Sequence, residues 1–180
     1  MQKLILLLSL VALLMSGCAF PSNDDLTGHT TLNIDEILIT DNYMYDTLIT
    51  KFMDADPNTL NQKQLTVATL ITFDTEMMNG GLCQFFINDY SGYAQHVGNA
   101  LDEVGAIELQ KHYISFIAQN GIDISQMDSF HIESIQDYVK QFERFPYEAF
   151  DVTFAEIYQK ENLCDLLLSY VRLHKDEILD

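Results

Sequence analysis

Apolar residues recur three and four positions apart along most of the chain, and this periodicity constrains the fold more than any other feature. Near the start of the periodic region, Ile37, Leu38, Tyr45, Leu48 and Phe52 lie on one face of a helix. No alternating strand pattern of convincing length and no internal repeat accompanies the helical spacing, and prolines number only three. We therefore predict an all-α protein, a single irregular bundle of about seven or eight helices.

Caps and breakers indicate where these helices begin and end. Ser91 has the character of an N-cap, Gly105 and Gly121 suit positions just after a helix, and Pro146 interrupts the pattern. Residues 122–130 form a polar connection between two helices. Asn162 begins the last helix, which is predicted to face inward through Leu163, Leu166, Leu167, Tyr170 and Val171. The other predicted helices cover 34–53, 62–78, 82–88, 91–104, 107–119, 131–144 and 150–160. In the helix at 131–144, the inward apolar face is predicted to comprise Ile132, Ile135, Tyr138, Val139 and Phe142. Its charged residues Glu133, Asp137, Lys140 and Arg144 are predicted to form a self-compensating ladder.

The first eighteen residues have the pattern of a bacterial secretion signal that ends in a lipoprotein cleavage box. Lys3 supplies a positive start, and residues 4–15 form an apolar run of about a dozen residues, whereas a transmembrane helix needs roughly 20. Ser16 and Gly17 are the small residues that precede Cys18. We predict that residues 1–17 are removed and that Cys18 carries lipid, such as palmitate. An ordinary cleaved signal and a retained membrane helix are the alternatives.

A short polar segment follows the predicted lipid anchor. Residues 18–33 contain Pro, Gly, Ser and Thr, which predicts a flexible tether that reaches about 50 Å when extended. The remaining residues, 34–180, suit one acidic helical domain. Ala19 follows the cysteine, and by resemblance to known bacterial lipoproteins this favours the outer membrane, facing the periplasm. The predicted location is the bacterial cell envelope.

The chain is strongly acidic, with 27 Asp and Glu against 9 Lys and Arg and a formal net charge of −18. Removal of residues 1–17 takes away only Lys3 and leaves −19. Bare nucleic acid and anionic membrane surfaces would be repelled, so we expect no direct nucleic-acid partner. Basic proteins, cationic peptides or metal ions are better partners, although solubility alone also explains such a charge.

Two cysteines remain after lipidation, Cys83 and Cys164. An oxidising envelope would permit a disulfide between them, which would close a loop worth roughly 4 kcal/mol in the chain-entropy model. Both also lie in apolar helical segments, where a buried thiol behaves as a small hydrophobic group. Either state is consistent with the sequence.

The segment around two adjacent glycines is the most specific motif in the chain. Asn79, Gly80 and Gly81 stand between two predicted helices, where a turn of positive φ suits Asn and Gly. Gln84 could reach backbone groups that the break leaves unbonded. Phe85 and Phe86 would wedge the short helix into the core, and the motif closes where Asn88 and Gly92 would form the next turn.

This part of the chain resembles a domain family shared with acidic DNA-mimic proteins. The resemblance lies in the order Asn-Gly-Gly-x-x-Gln-Phe-Phe-x-Asn, followed by a glycine and an Ala/Leu helix that ends at Gly105-Ala106. The resemblance covers residues 62–120. It implies an all-helical fold, and a named member of the family imitates the phosphate array of DNA to occupy a DNA-binding protein. It implies no catalytic residues. The motif is either a helix junction shared by the family or a ligand or partner site.

Known catalytic and metal-binding patterns are missing from the sequence, so we predict no cofactor, metal site or catalytic residue. The acidic run at 54–58 resembles the start of a calcium loop but has Thr59 where glycine is required, so it reads as a linker. Glu108 and His112 share a helix face, which favours an intrahelical pair over a metal site. Cys83 and His96 could act as nucleophile and base, yet nothing in the sequence brings them together.

These observations favour a non-enzymatic envelope lipoprotein that binds a basic protein or peptide. One alternative is an enzyme of unrecognised type with a pocket near 79–88. Another is a true DNA mimic that sequesters a DNA-binding protein, although an envelope location offers few such targets.

Overall fold

The computed structural model describes residues 41–53, 55–89 and 92–179, without the side chains of residues 41 and 42. The predicted signal at 1–17, Cys18, the tether at 18–33 and Ser91 all lie outside these residues. Within the described part the fold is all-α, as predicted. Its α-helices are α1 Asp41–Phe52, α2 Gln62–Asn88, α3 Val97–Glu103, α4 Ile107–Asn120, α5 Ile135–Arg144, α6 Tyr147–Tyr158, α7 Leu163–Leu173 and α8 Lys175–Leu179. Short 3-10 turns occur at Pro57–Thr59, Tyr93–Gln95 and Met127–Phe130.

Helix α2 is the centre of the bundle and packs against α1, α3, α6, α7 and α8. Residues 66–71 of α2 are buried in succession, and at 100° per residue they cover every side of the helix. This stretch therefore lies inside the core, with the other elements packed around it. Asn61 begins α2 with a capping box, in which its side chain and that of Gln64 bind each other's backbone N–H.

The core around α2 is rich in aromatic rings. The Phe73 ring meets those of Phe85, Tyr113 and Phe154 edge to face, with centroids 5.1–5.8 Å apart. Helix α1 joins this core through Tyr45, whose hydroxyl donates to Asp74 Oδ2 over 2.6 Å. Asp74 is only 4% exposed, and burial raises the pKa of its carboxyl. The predicted inward face of α7 is confirmed, since Leu163, Leu167, Tyr170 and Val171 are buried and Leu166 packs against the core.

Several predicted helix boundaries are wrong in informative ways. The predicted helix at 91–104 is instead a 3-10 turn followed by α3, because Gly92 adopts a positive φ of 82° just before the turn. Gly105 and Gly121 do follow helices with positive φ, as predicted. The 122–130 connection is less polar in structure than expected, because Ile122, Met127 and Phe130 are buried.

The predicted helix at 131–144 shows the largest difference. Helix α5 begins only at Ile135, because the Ser134 side chain accepts the Asp137 N–H as an N-cap. Ile135 and Val139, which we predicted to face inward, are 80% and 46% exposed. The predicted ladder of Glu133, Asp137, Lys140 and Arg144 reduces to one ion pair, Lys140 Nζ to Asp137 Oδ1 at 2.8 Å. Glu133 precedes the helix.

Within the part of the chain described, every helix is too short or too polar to cross a lipid bilayer.

Candidate functional site

The Asn-Gly-Gly motif forms a kink inside α2. Gly81 has φ 75° and ψ −171°, while Asn79 and Gly80 keep helical geometry, so one residue makes the break. The positive φ interrupts the helical hydrogen-bond ladder, and the Leu82 N–H bonds outside its own helix, to Asp151 Oδ1 at 3.0 Å. A Cβ atom on Gly81 would collide with the Asp151 carboxylate. Glycine is therefore required at position 81 for two reasons, the positive φ and the absence of a side chain.

We expected Gln84 to bond the freed backbone, and this is wrong because Asp151 of α6 does so. The Gln84 side chain lies over Gly80, where a Cβ would overlap it, and its Nε2 donates to Glu76 Oε2 at 2.8 Å. Asn88 Nδ2 donates to the same oxygen at 2.9 Å. Glu76, Gln84 and Asn88 thus form a polar bridge across the kink and tie its two halves together.

The turn after the kink is built on Asp89, not on Asn88 as predicted. The Asp89 carboxylate is 4% exposed and accepts the N–H groups of Tyr93 at 2.6 Å and Ala94 at 2.9 Å. Burial raises the pKa of Asp89, although these backbone hydrogen bonds act in the opposite direction. Gly92 supplies the positive φ that the turn requires.

Phe85 and Phe86 are fully buried, which agrees with their predicted packing role. Phe86 contacts the rings of Phe130 and Tyr147, with centroids 5.2 and 6.2 Å away. The short helical segment after Gly81 is thereby wedged against the Met127–Phe130 turn and α6. The kink and its aromatic anchors form one structural unit with these elements.

Asp151 is the important residue that sequence reasoning missed. It lies on the inward side of α6, four residues after buried Tyr147 and three before buried Phe154. Burial raises the pKa of Asp151 to about 6, although the hydrogen bond from the Leu82 N–H counteracts part of this. An acid at the helical spacing of a buried face was the signal that could have identified it.

Cys83 and Cys164 are both buried, and no disulfide joins them in the structure. Burial, with a smaller contribution from the nearby Asp151 carboxylate, raises the pKa of Cys83 to about 12. A thiol with such a pKa stays protonated near neutral pH and is a poor nucleophile. Burial also lowers the pKa of His96, whose charged neighbour is Asp89.

The remaining sequence candidates fall into structural roles. His112 stacks on the Phe150 ring at 4.2 Å, and its Nε2 lies 3.0 Å from the Phe150 carbonyl oxygen, whereas Glu108 pairs with Lys111. The predicted Glu108–His112 pair is therefore not formed. Asp56 caps the Pro57–Thr59 turn, as a linker residue would. Among the described residues, no group of three or more His, Cys, Asp or Glu side chains is arranged to hold a metal ion.

Comparison with known proteins adds one finding. A family model described as DMP19-like protein matches residues 58–174, which is wider than the motif region at 62–120 and includes the kink, Asp151 and α5. No curated protein and no solved structure matches the chain.

Proposed function

Because the chain belongs to the DMP19-like protein family, we propose that it is a non-enzymatic acidic module that binds a basic protein or peptide. The family is the one that the Asn-Gly-Gly motif indicated, with its link to acidic DNA-mimic proteins. The motif supports a scaffold role, because its polar side chains bond one another and Phe85 and Phe86 lie in the core. The protonated Cys83 thiol likewise argues against a thiol enzyme at this position.

The observation that carries the proposal is the imbalance of charge at the surface. Three lysines are engaged in ion pairs within the fold: Lys63 pairs with Glu103, Lys111 with Glu108 and Lys140 with Asp137. Exposed carboxylates outside these pairs extend over several helices; they include Asp46, Asp102, Glu133, Glu143, Glu148, Glu156 and Asp176. Such a surface attracts cationic partners over about 10 Å at 0.1 M salt.

We further propose that lipid on Cys18 holds this module at the bacterial cell envelope, at the outer membrane because Ala19 follows the cysteine. The support is the signal pattern at residues 1–17. At that location the partner would be an envelope or extracellular polycation.

True DNA mimicry is the second candidate, and family membership is the observation that favours it. It would require a protein that binds duplex DNA as the target, and hence a chain that stays in the cytoplasm. The two candidates differ in location and in the competitor that displaces the partner.

Binding is tested with the full-length chain in mild nonionic detergent and two fluorescent 20-residue peptides, one rich in Lys and Arg and one rich in Asp and Glu. We expect binding of the basic peptide but not of the acidic one. The affinity for the basic peptide should fall about tenfold or more between 0.05 and 0.3 M NaCl. Equal affinity for the two peptides would contradict the proposal. A second pull-down tests mimicry: proteins retained on duplex DNA are collected and then offered to this chain. If the chain captures one of them and added DNA abolishes that capture, the result would favour mimicry.

Lipidation is tested separately by labelling bacteria that express the chain with an alkyne fatty acid. We expect label on the wild-type chain and none on a Cys18→Ser variant, which should also leave the membrane fraction. A wild-type chain without label, or a variant that remains equally anchored, would refute lipid anchoring.

A further inference from the structure

Helix α5 carries an apolar face that is wider than its contact with the rest of the protein. On a helix of 100° per residue, Ile135, Tyr138, Val139 and Phe142 fall within an arc of about 100°. Tyr138 and Phe142 pack against the core, whereas Ile135 and Val139 are 80% and 46% exposed. The uncovered half is a stripe formed by Ile135 and Val139, and we call it the α5 stripe.

The rest of α5 touches the body lightly. No residue of this helix is buried, in contrast to α6 and α7 beside it in sequence. It is held at its C-terminal end, where Gln141 donates to the Ser129 carbonyl and the Arg144 guanidinium lies about 5 Å from the Phe130 and Phe145 ring centres. The stripe therefore stays open while the helix is fixed in orientation.

The charges around the α5 stripe favour a cationic partner. The two cations of α5 are occupied, since Lys140 pairs with Asp137 at 2.8 Å and Arg144 stacks on aromatic rings. Exposed carboxylates stand at both ends of the stripe: Glu133 just before the helix, and Glu143 in its last turn, four residues after Val139. An apolar stripe between carboxylates complements an amphipathic helix whose apolar face is flanked by Lys or Arg.

We propose that the α5 stripe is the docking surface for a basic amphipathic helix of the partner. This inference rests on the proposed function and gives it a location. The partner's apolar side chains would cover Ile135 and Val139, while its cations would meet Glu133 and Glu143. Exposed carboxylates elsewhere on the surface would raise the rate of association without determining where the partner docks.

The test uses the full-length chain and two fluorescent 18-residue peptides of identical Lys and Leu composition. One peptide has helical periodicity, and the other is scrambled so that it forms no apolar face. The main variant is Ile135→Ser with Val139→Ser, which leaves every charge in place. A control variant, Ile114→Ser with Leu173→Ser, removes two apolar side chains of matched exposure, 49% and 78%, from other helices.

We expect the stripe variant to bind the amphipathic peptide about tenfold or more weakly, and the control variant within about twofold of wild type. A second variant, Glu133→Gln with Glu143→Gln, should weaken binding more than Glu156→Gln with Asp165→Asn. Circular dichroism and thermal unfolding verify that each variant folds.

Each other outcome counts against a specific claim. If the wild-type chain binds the amphipathic peptide but the stripe and control variants lose affinity equally, the docking site is refuted and the proposed function stands. No binding of either peptide by the wild-type chain would overturn both. Concentration-dependent dimerisation of the wild type that the stripe variant loses would identify a second copy as the occupant and overturn the basic helix.

Discussion

At the scale of single residues, the kink at Gly81 and the position of the Asp151 side chain depend on each other. The kink in α2 exists because Gly81 adopts a positive φ, and the amide that this frees is bonded by a carboxylate from α6. That carboxylate in turn occupies the space where any side chain at position 81 would stand. Two residues seventy positions apart in sequence therefore act as one structural feature.

Substitution of Gly81 by Ala should destabilise the fold by roughly 2–4 kcal/mol, because backbone strain and the collision with Asp151 add together. Urea unfolding measures the change. Gly105→Ala is the matched control, since Gly105 has φ 82° but nothing within 4 Å of its Cβ position. It should lose only roughly 1–2 kcal/mol of conformational strain. Equal losses at the two positions would refute the steric part of the explanation.

Asp151 should make stability depend on pH. Burial raises its pKa from 3.8 to about 6, so the folded state holds the proton more tightly than the unfolded chain. The resulting stabilisation is fully present below about pH 4 and is lost as the pH rises through 6. Because the side chain is partly exposed, we expect its size to be about 1–2 kcal/mol.

An Asp151→Asn variant keeps an oxygen acceptor for the Leu82 N–H and should abolish this part of the pH dependence. Urea unfolding between pH 4 and 7 measures it, with Glu156→Gln, an exposed acid of the same helix, as the control. A variant whose stability falls with pH as steeply as the wild type would show that another group is responsible.

At the scale of elements, the C-terminal helix α8 holds the start of the bundle together. The Lys51 ammonium of α1 donates to the carbonyl oxygens of Ile178 and Leu179, at 3.1 and 2.8 Å. Asn61 and Gln64, at the start of α2, donate to the carbonyls of Glu177 and Ile178. These donors satisfy carbonyls that a helix end leaves unpaired, and a cation there is favoured by the helix dipole.

A Lys51→Met variant should therefore loosen α1 and α8 together. We expect faster amide hydrogen exchange at 41–52 and 175–179 and unchanged exchange in α4, with a loss of roughly 1 kcal/mol in global stability. Lys111→Met is the control, because it removes only the exposed pair with Glu108. Faster exchange in α8 alone would mean that Lys51 does not couple the two helices.

At the scale of the whole molecule, charge opposes the fold that the apolar core favours. A formal charge of −18 on 180 residues makes the compact state repel itself. We expect NaCl to raise Tm by roughly 3–6 °C between 0.02 and 0.3 M, because screening removes this repulsion. The rise should level off once the screening length falls below the spacing of the charges. A Tm that rises linearly to 1 M would indicate a salt effect unrelated to charge.

Much of the fold could be predicted from sequence because helical periodicity is a local property. The inward face of α7, the positive φ of Gly105 and Gly121 and the break at Gly81 all follow from residue type and spacing. Helix α5 could not be predicted fully, since its sequence defines an amphipathic face but not how much of that face the body covers. The exposure of Ile135 follows from the way the chain returns to the core, whereas the Ser134 cap is a local feature, bonded to the N–H three residues later.

The sequence by itself determined the helical class, the excess of negative charge, the family motif and the predicted lipid signal. Each depends on neighbouring residues or on composition, which need no knowledge of what folds against what. The tertiary structure alone decided that Asp151 bonds the kink, that Glu76 joins Gln84 to Asn88, and that Ile135 and Val139 stay uncovered. The Asp151 bond joins positions 69 residues apart, the Glu76 bridge depends on how the kink folds α2, and the exposure of Ile135 and Val139 depends on how α5 packs. Neighbouring residues alone fix none of these, because each depends on the path of the folded chain.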